Sequence, residues 1–207
     1  KFNKKNLFVT YHPETLSPDR TLSNLIQLLA ALDEINGTNI IFSMPNADTG
    51  FRDFFEVVEG FVSKKQSCRK VFQSLGQLKY FSCLKHVDAV IGNSSSGILE
   101  APSFKIGTIN IGDRQKGRVR ADSVIDVSPI KSEILKAIDF LYTAEFKSTL
   151  TKVNNPYFKP KTAESIVKIL ECTELSNLKK SFFDIETKEI FTAHNMQPKT
   201  SQNIDSQ

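Results

Sequence analysis

The sequence predicts an α/β protein with a Rossmann-like, three-layer architecture, in which helices cover both faces of a parallel sheet. Short apolar segments rich in β-branched and aromatic residues alternate with longer segments whose apolar residues recur at helical spacing. Single helices between successive strands favour right-handed crossovers and therefore parallel strands. Hydrophobic residues make up 40% of the 207 residues and charged residues 24%, which is typical of a globular protein.

The chain begins with two strand and helix pairs. Residues 6–12 (NLFVTYH) are apolar and rich in β-branched or aromatic side chains, which predicts a buried strand. A helix is predicted over 17–35. Ser17 suits the N-cap, Pro18 suits the first helical position, and apolar residues then recur at helical spacing. The same reasoning gives the next strand and helix, at 38–44 and about 49–65.

This alternation continues to residue 175. The further predicted strands are 68–73, 88–92, 107–112 and 123–127. The further predicted helices are 76–87, a short segment through Ala101, 128–143 (beginning with Ser128 and Pro129) and 161–175. After Leu175 the apolar periodicity ends, so we expect a domain at 1–174 and a polar tail at 175–207 that is disordered or docks elsewhere.

Charge and composition exclude several classes of protein. The net charge of +4 is too small to indicate nucleic-acid binding, but it suits a basic pocket for an anionic small molecule. No segment approaches the roughly 20 apolar residues of a membrane-spanning helix. The three cysteines lack metal-ligand spacing, so we expect reduced thiols, no metal site and a cytoplasmic location. Because the chain lacks an initiator methionine and enters a strand at once, we expect it to be part of a longer protein.

A small polar turn in residues 88–101 (DAVIGNSSSGILEA) joins a predicted strand to a helix start. Ligands of parallel sheets bind at the carboxyl ends of strands, and helix N-termini present unpaired N–H groups. Ser94 and Ser95 add hydroxyl donors, and Gly97 lets the backbone approach a ligand closely. The turn therefore predicts a phosphate-binding site, although neither a Walker loop nor G-x-G-x-x-G is present. The alternative is that Asn93 or a serine only caps the helix.

Charged residues beside this turn suit a nucleotide. Glu100 is expected on the first turn of the helix, where a carboxylate accepts hydrogen bonds from two adjacent sugar hydroxyls. Arg114 and Arg118 follow the next strand, and the guanidinium fork suits a diphosphate. A solvated basic loop is the alternative, and it accounts for Lys116 and Arg120 better than for Arg114.

Two more loops are expected at the same edge of the sheet. His12 follows the first strand, and Pro13 makes the next turn rigid. A lone histidine is more often a packed or surface residue, but its place at this edge favours a functional role. Asn46 and Asp48 follow the second strand, where Asp-Thr-Gly is also ordinary turn chemistry.

The motifs in these loops resemble a known family. YHPET (11–15), PNADTG (45–50), GNSSSGILEAPSFKIGTINIGDRQKGR (92–118) and SVIDV (123–127) are similar in order and spacing to the hydrolysing UDP-N-acetylglucosamine 2-epimerases. The resemblance covers about residues 6–185. It implies the C-terminal half of a glycosyltransferase-B-type two-domain fold, with the N-terminal domain absent from this chain, and a homo-oligomer for the full-length protein.

The resemblance also implies a reaction that belongs to sialic acid biosynthesis. UDP-N-acetylglucosamine would lose UDP by elimination, and water would add to the glycal to give N-acetylmannosamine, with no metal or cofactor. The resemblance assigns Ser94 and Ser95 to the diphosphate, Glu100 to the ribose and the backbone near Leu75 to the uracil. The predicted catalytic residues are His12 and Arg114, which lie in the loops described above. The predicted substrate-binding residues are Asn46, Asp48, Leu75, Ser94, Ser95, Gly97, Glu100, Arg114 and Arg118.

Three alternatives stay open at this point. The motifs do not separate a UDP-sugar enzyme from a GDP-linked bacillosamine-type 2-epimerase of the same family. A glycosyltransferase-B nucleotide-sugar domain would share the fold, although one glutamate and the GDRQKGR run fit the epimerase better. A non-catalytic nucleotide-sugar-binding module is the third, because the acid and base carboxylates of the family lie on its N-terminal domain.

Overall fold

The structure is a computed structural model, and it describes residues 4–14, 18–44, 52–174 and 179. The chain divides into two compact units, Lys1–Lys159 and Pro160–Gln207. The described part of the larger unit contains the sheet and the helices that cover it, and that of the smaller contains one helix. Within the described residues, no helix combines the length and the apolar character needed to cross a membrane.

The larger unit is built on a parallel sheet. Its strands are β1 (Lys5–Thr10), β2 (Thr38–Ser43), β3 (Arg69–Phe72), β4 (Ala89–Gly92), β5 (Gly107–Ile111) and β6 (Val124–Val127). Their order across the sheet is β3-β2-β1-β4-β5-β6, and every neighbouring pair is parallel. Each strand overlaps its predicted segment, so the prediction of a parallel sheet is confirmed.

Helices connect the strands. They are α1 (Pro18–Glu34), α2 (Arg52–Ser63), α3 (Gly76–Leu84), α4 (Ser96–Leu99), α5 (Lys131–Leu141), α6 (Ala144–Lys152) and, in the smaller unit, α7 (Thr162–Cys172), with a 3₁₀ helix at Ala101–Phe104. The sequence reasoning missed α6, which begins after Thr143, whose hydroxyl accepts a hydrogen bond from the Phe146 N–H at 3.2 Å. The predicted cap at Ser17 lies outside the described residues.

The predicted start of α5 at Ser128 and Pro129 is wrong. The helix begins at Lys131, after Ile130 in an extended conformation that makes no side-chain cap. The carboxylate of Glu133 instead accepts a hydrogen bond from the Ser128 N–H at 3.0 Å. A first-turn glutamate that reaches back to the backbone replaces the expected serine cap.

The alternation of side chains along β1 divides the core into two faces. Leu7 and Val9 belong to the larger apolar cluster, which contains side chains of α1, α2 and α5. Phe8 belongs to the smaller cluster with Leu84 of α3 and Ala101 of the 3₁₀ helix. Helices therefore cover both faces of the sheet, and the predicted three-layer arrangement is confirmed.

A buried guanidinium joins α1, α2 and the start of β3. Arg69 is 1% exposed, and its guanidinium carbon lies 3.7 Å from the centre of the Phe61 ring. It donates hydrogen bonds to the Phe61 carbonyl at 3.0 Å and to Asp33 Oδ1 at 2.5 Å. Hydrogen bonds from Arg69 and then Lys65 hold the pKa of Asp33 below its ordinary value. This contact lies at the amino end of β3, away from the carboxyl ends of the strands.

Candidate functional site

The strand order places one crevice at the carboxyl edge of the sheet. The chain runs outward from β1 through β2 to β3, and outward in the other direction from β4 through β5 to β6. β1 and β4 are therefore the neighbours at which the direction of winding changes, and such a switch point is where doubly wound sheets bind ligands. The loops that follow β1 and β4 contain His12 and residues 93–96, which we term the serine turn.

Asn93 connects these two loops. Its side chain is fully buried, with Oδ1 accepting a hydrogen bond from the His12 N–H at 2.6 Å and Nδ2 donating to the His12 carbonyl at 2.8 Å. The side-chain amide thus continues the hydrogen bonding between β1 and β4 beyond the strand ends. Asn93 therefore fixes the serine turn beside His12. The alternative interpretation, in which Asn93 only caps a helix, is wrong.

The backbone carbonyl of Asn93 holds the loop that follows β5. Arg114 Nη1 donates to it at 3.0 Å, and Gln115 Nε2 donates at 2.8 Å. Gln115 is buried, whereas Arg114 is exposed and accessible to a ligand. The structure therefore brings Arg114 next to the serine turn. Sequence reasoning missed Gln115, since its position within a basic run gave no sign that it is buried.

The electrostatic environment of His12 favours the neutral imidazole. Burial lowers the pKa of His12 from its ordinary value, and the positive charge of Arg114 lowers it further. At neutral pH the imidazole therefore offers one N–H donor and one acceptor nitrogen. An anionic ligand between His12 and Arg114 would oppose the second effect, so the protonation of His12 is coupled to anion binding.

The helix after the serine turn is shorter than predicted. α4 is a single turn, Ser96–Leu99, and Glu100 follows its end instead of lying on its first turn. A single turn aligns few peptide dipoles, so an anion here would depend on individual donors more than on a helix dipole. Ser95 makes no side-chain cap. Among the described residues, no partner is found for the backbone N–H of Ser94 or Ser95.

Glu100 is connected to the serine turn through Ser96. Ser96 Oγ donates to Glu100 Oε2 at 2.7 Å, and the Tyr80 hydroxyl is hydrogen-bonded to Ser96 Oγ. Sequence reasoning named Glu100 but neither Ser96 nor Tyr80. The four-residue spacing of Ser96 and Glu100 in a helical turn was an available signal. Tyr80 lies on α3, and no local pattern indicated it.

Two further contacts fix the backbone of α4. A Cβ added to Gly97 would lie 2.7 Å from Thr108 Cγ2, and Thr108 Oγ1 donates to the Gly97 carbonyl at 2.7 Å. Packing against β5 thus accounts for a glycine here, and contact between Gly97 and a ligand stays a prediction. Asn155 Nδ2 donates to the Leu99 carbonyl at 2.9 Å. Sequence reasoning missed Asn155, which follows α6.

The remaining predicted residues are less closely connected to the serine turn. Leu75 immediately precedes α3, the helix that carries Tyr80, and packs against the smaller apolar cluster. Arg118 is exposed, and no contact within the described residues joins its side chain to the turn. Asn46 and Asp48 lie outside the described residues.

The interpretation of Arg120 as a solvated basic residue is wrong. Its Nε lies 2.6 Å from Asp126 Oδ2, and its guanidinium donates to the carbonyls of Arg118 and Gln115 at 2.6 and 3.3 Å. Lys116 is exposed and lines a cavity of about 410 Å³ at the ends of β5 and β6.

The described residues contain no group of three or more His, Cys, Asp or Glu side chains placed to hold a metal ion.

Sequence comparison places the chain in a family. The family model for UDP-N-acetylglucosamine 2-epimerase matches residues 1–171. The chain belongs to this family. The polysialic acid biosynthesis protein P7 of Escherichia coli is 39% identical over 185 residues, covering 88% of this chain and 47% of the relative. The GDP/UDP-N,N'-diacetylbacillosamine 2-epimerase (hydrolyzing) of Campylobacter jejuni is 42% identical over 147 residues, covering 71% of this chain and 38% of the relative.

The predicted resemblance to hydrolysing epimerases is thereby confirmed, since the chain shares its family with members described as hydrolysing. The chain spans less than half the length of these curated relatives. The whole protein's reaction and substrate therefore belong to a proposal.

Solved structures of the epimerase family share the fold. The S. aureus MnaA structure with UDP has a TM-score of 0.66 at 17% identity, and the match covers 81% of this chain and 44% of that chain. The UDP-GlcNAc 2-epimerase of Methanocaldococcus jannaschii, in complex with UDP-GlcNAc and UDP, has a TM-score of 0.63 at 20% identity. The match covers 81% of this chain and 45% of that chain. The predicted Rossmann-like fold is confirmed.

A glycosyl transferase domain shows the same fold over most of its length. The C-terminal domain of a group 1 family protein from Francisella tularensis has a TM-score of 0.54 at 15% identity. The match covers 75% of this chain and 84% of that domain. This chain is therefore similar in fold to a single domain of that protein.

Proposed function

We propose that this chain supplies the nucleotide-binding half of a hydrolysing UDP-N-acetylglucosamine 2-epimerase, which converts UDP-N-acetylglucosamine to N-acetylmannosamine and UDP. One observation carries the proposal. The Asn93 carbonyl binds Arg114 while the Asn93 amide binds the His12 backbone, so both residues adjoin the serine turn at the switch point of the sheet. Membership of the epimerase family supports the same reaction.

The diphosphate would bind between the serine turn and Arg114. The backbone N–H groups and hydroxyls of Ser94 and Ser95 offer hydrogen-bond donors, and the exposed guanidinium of Arg114 adds a positive charge. His12 stands at the same edge with a neutral imidazole that can donate one hydrogen bond to a phosphate oxygen. Glu100 would accept hydrogen bonds from the ribose, and the backbone near Leu75 would contact the base.

These groups would stabilise the departing diphosphate. In the elimination, the C2 proton of the sugar is removed and the bond between C1 and the diphosphate oxygen breaks, which gives a glycal and UDP. Addition of water to the glycal then gives N-acetylmannosamine. Negative charge develops on the diphosphate as the bond breaks, and donors fixed before the reaction stabilise that charge without reorganisation. The acid and base for the sugar carbons would come from the other half of the protein.

The position of the chain in the whole protein is part of the proposal. Its likeness to a glycosyl transferase C-terminal domain supports the interpretation as the C-terminal half of a two-domain fold. We propose a nucleotide-sugar-binding domain at 1–174 followed by a tail at 175–207. A homo-oligomeric full-length protein in the cytoplasm, and the absence of nucleic-acid, membrane and cofactor binding, stay predictions.

A second candidate is a GDP- or UDP-linked N,N'-diacetylbacillosamine 2-epimerase. The 42% identity to the Campylobacter jejuni enzyme and the 32% identity to the Legionella pneumophila enzyme favour it. The serine turn, Arg114 and His12 contact groups that both substrates share, so they do not separate the candidates. The base and the sugar N-acyl groups would be recognised elsewhere.

Ligand titration and complementation test the proposal. Calorimetry of this chain with UDP, GDP and CDP should show binding of UDP and weaker binding of CDP, and preferential binding of GDP would favour the GDP-linked form of the second candidate. The chain alone should release no N-acetylmannosamine from UDP-N-acetylglucosamine. Joining it to the preceding half of an epimerase of the family should restore release. Epimerase activity of the chain alone, or no binding of any of these nucleotides, would contradict the assignment.

A further inference from the structure

Three side chains form a hydrogen-bonded series that includes Ser96 of the serine turn. The Tyr80 hydroxyl of α3 contacts Ser96 Oγ, and Ser96 Oγ contacts Glu100 Oε2 at 2.7 Å. A carboxylate only accepts hydrogen bonds, so the single hydroxyl hydrogen of Ser96 points to Glu100. The Tyr80 hydroxyl must then donate to Ser96. The direction of both hydrogen bonds is fixed by the presence of the carboxylate.

The environment of Tyr80 keeps it a donor. Burial raises the pKa of Tyr80 to about 12, and the negative charge of Glu100 acts in the same direction. The phenol is therefore protonated throughout the physiological range.

The core holds the Tyr80 ring in place. Its centre lies 5.2 Å from that of Phe8, which is fully buried in β1, and 5.6 Å from that of Phe81. Edge-to-face and tilted aromatic contacts of this kind restrict the ring orientation. The hydroxyl that reaches Ser96 is thus positioned by the packing of β1 and α3, which are far from Glu100 in the sequence.

The carboxylate has acceptor capacity left for a ligand. Each oxygen of a carboxylate can accept two hydrogen bonds, and Ser96 uses one position on Oε2. Glu100 is half-buried, so a ligand can reach it. A negative carboxylate repels phosphate oxygens, so the complementary group is a pair of neutral donors such as two adjacent hydroxyls.

We propose that Tyr80 and Ser96 are positioning residues that orient the Glu100 carboxylate for the adjacent 2′- and 3′-hydroxyls of a nucleotide ribose. This inference rests on the proposed function, because it presupposes a nucleotide in the crevice. Without the series, Glu100 would have to lose the freedom of its side chain on binding, and the ribose contact would weaken. The nucleotide's phosphates, which contact other residues, would be unaffected.

The test compares UDP with 2′,3′-dideoxyuridine diphosphate, which lacks both hydroxyls. We measure the Kd of each nucleotide by calorimetry for the unchanged chain, Tyr80→Phe and Ser96→Ala. The unchanged chain should bind UDP at least about tenfold more tightly than the dideoxy nucleotide, the effect of two hydrogen bonds to a charged group. This ratio should fall about threefold in Tyr80→Phe and about fivefold in Ser96→Ala, with the dideoxy Kd nearly unchanged.

Matched variants separate positioning from general damage. Tyr157→Phe changes an exposed tyrosine, and Ser82→Ala changes an exposed serine on α3, so neither should alter the ratio. Ser96→Thr keeps the hydroxyl and should restore most of the ratio. A merely structural role for Tyr80 and Ser96 would raise both Kd values by the same factor and leave the ratio unchanged, which would overturn the inference.

The failure of this inference differs from the failure of the proposed function. Equal affinities of the unchanged chain for UDP and the dideoxy nucleotide would overturn the ribose contact while the nucleotide site stands. If the unchanged chain binds neither nucleotide, the proposed function and this inference both fall.

Discussion

The contacts of Asn93 and of Arg69 show two uses of a buried polar side chain in one sheet. Asn93 lies at the carboxyl end of β4 and binds the backbone of the neighbouring loop. Arg69 lies at the amino end of β3 and binds the Phe61 carbonyl and Asp33. Both side chains are almost fully buried. One holds groups that a ligand can reach, whereas the other holds α1 and α2 against the sheet. Burial and hydrogen bonding alone therefore do not identify a functional site.

Replacement of Asn93 should have the largest effect, on stability and on binding together. Asn93→Ala removes both side-chain bonds to His12 and leaves a backbone N–H and carbonyl without them, so we expect a loss of about 2–4 kcal/mol in the free energy of unfolding. UDP affinity should fall more than about tenfold because the serine turn loses the side chain that holds it beside His12, and the Asn93 carbonyl that binds Arg114 is then no longer held in place. Urea denaturation and calorimetry measure the two effects. Asn36→Ala, at an exposed asparagine, is the control, and unchanged UDP affinity in Asn93→Ala would contradict the role of this residue.

Replacement of Arg69 should affect stability alone. Arg69→Met keeps the apolar part of the side chain but leaves the Phe61 carbonyl without its guanidinium donor, so we expect the free energy of unfolding to fall by about 1–3 kcal/mol. UDP affinity, measured where the variant is fully folded, should stay within twofold of the original, because β3's amino end is remote from the carboxyl edge. A large loss of UDP affinity in the folded variant would remove the distinction between the two contacts.

Replacement of Arg114 should have the opposite effect to that of Arg69. Arg114 is exposed, so Arg114→Gln should change the free energy of unfolding by no more than about 0.5 kcal/mol. UDP affinity should fall about tenfold through loss of a charge-assisted hydrogen bond to the diphosphate. Arg114→Lys keeps the positive charge without the two-pronged guanidinium donor, so its UDP affinity should lie between those of Arg114→Gln and the unchanged chain. Equal UDP affinity of Arg114→Gln and the original would exclude Arg114 from the diphosphate site.

The smallest expected effect is the titration of His12. Its NMR midpoint should lie below the ordinary value of about 6.5, and Arg114→Gln should raise it only partly because burial is the larger cause. The unfolded state then binds more protons than the folded state between the two pKa values. This contribution to stability is therefore present above about pH 6.5 and is lost as the pH falls toward the lower folded pKa. Saturation with UDP should raise the midpoint, and a midpoint above 6.5 in the free chain would contradict this description of His12.

Much of the site was predictable, but its internal contacts were not. The polar loop residues His12, Ser94, Ser95 and Arg114 follow strands in the sequence, and the rule that ligands bind at the carboxyl edge brings those loops together. The same reasoning placed Glu100 on a helical turn that ends one residue earlier, because a one-turn helix followed by a 3₁₀ helix has the same local pattern as a longer helix. Helix α6 was missed since its sequence has a weak apolar face and its stability comes from packing, as by Phe146.

The sequence by itself determined the order of the strands and of the helices other than α6, the parallel arrangement of the strands and the polar character of the loops at one edge. These properties follow from local periodicity and from the handedness of the crossovers. Only the tertiary structure decided that Asn93 binds the His12 backbone 81 positions away, and that Tyr80 reaches Ser96 16 positions away. The physical reason is that a hydrogen bond between distant residues depends on how packed helices and strands bring their atoms together, which the preferences of neighbouring residues do not specify.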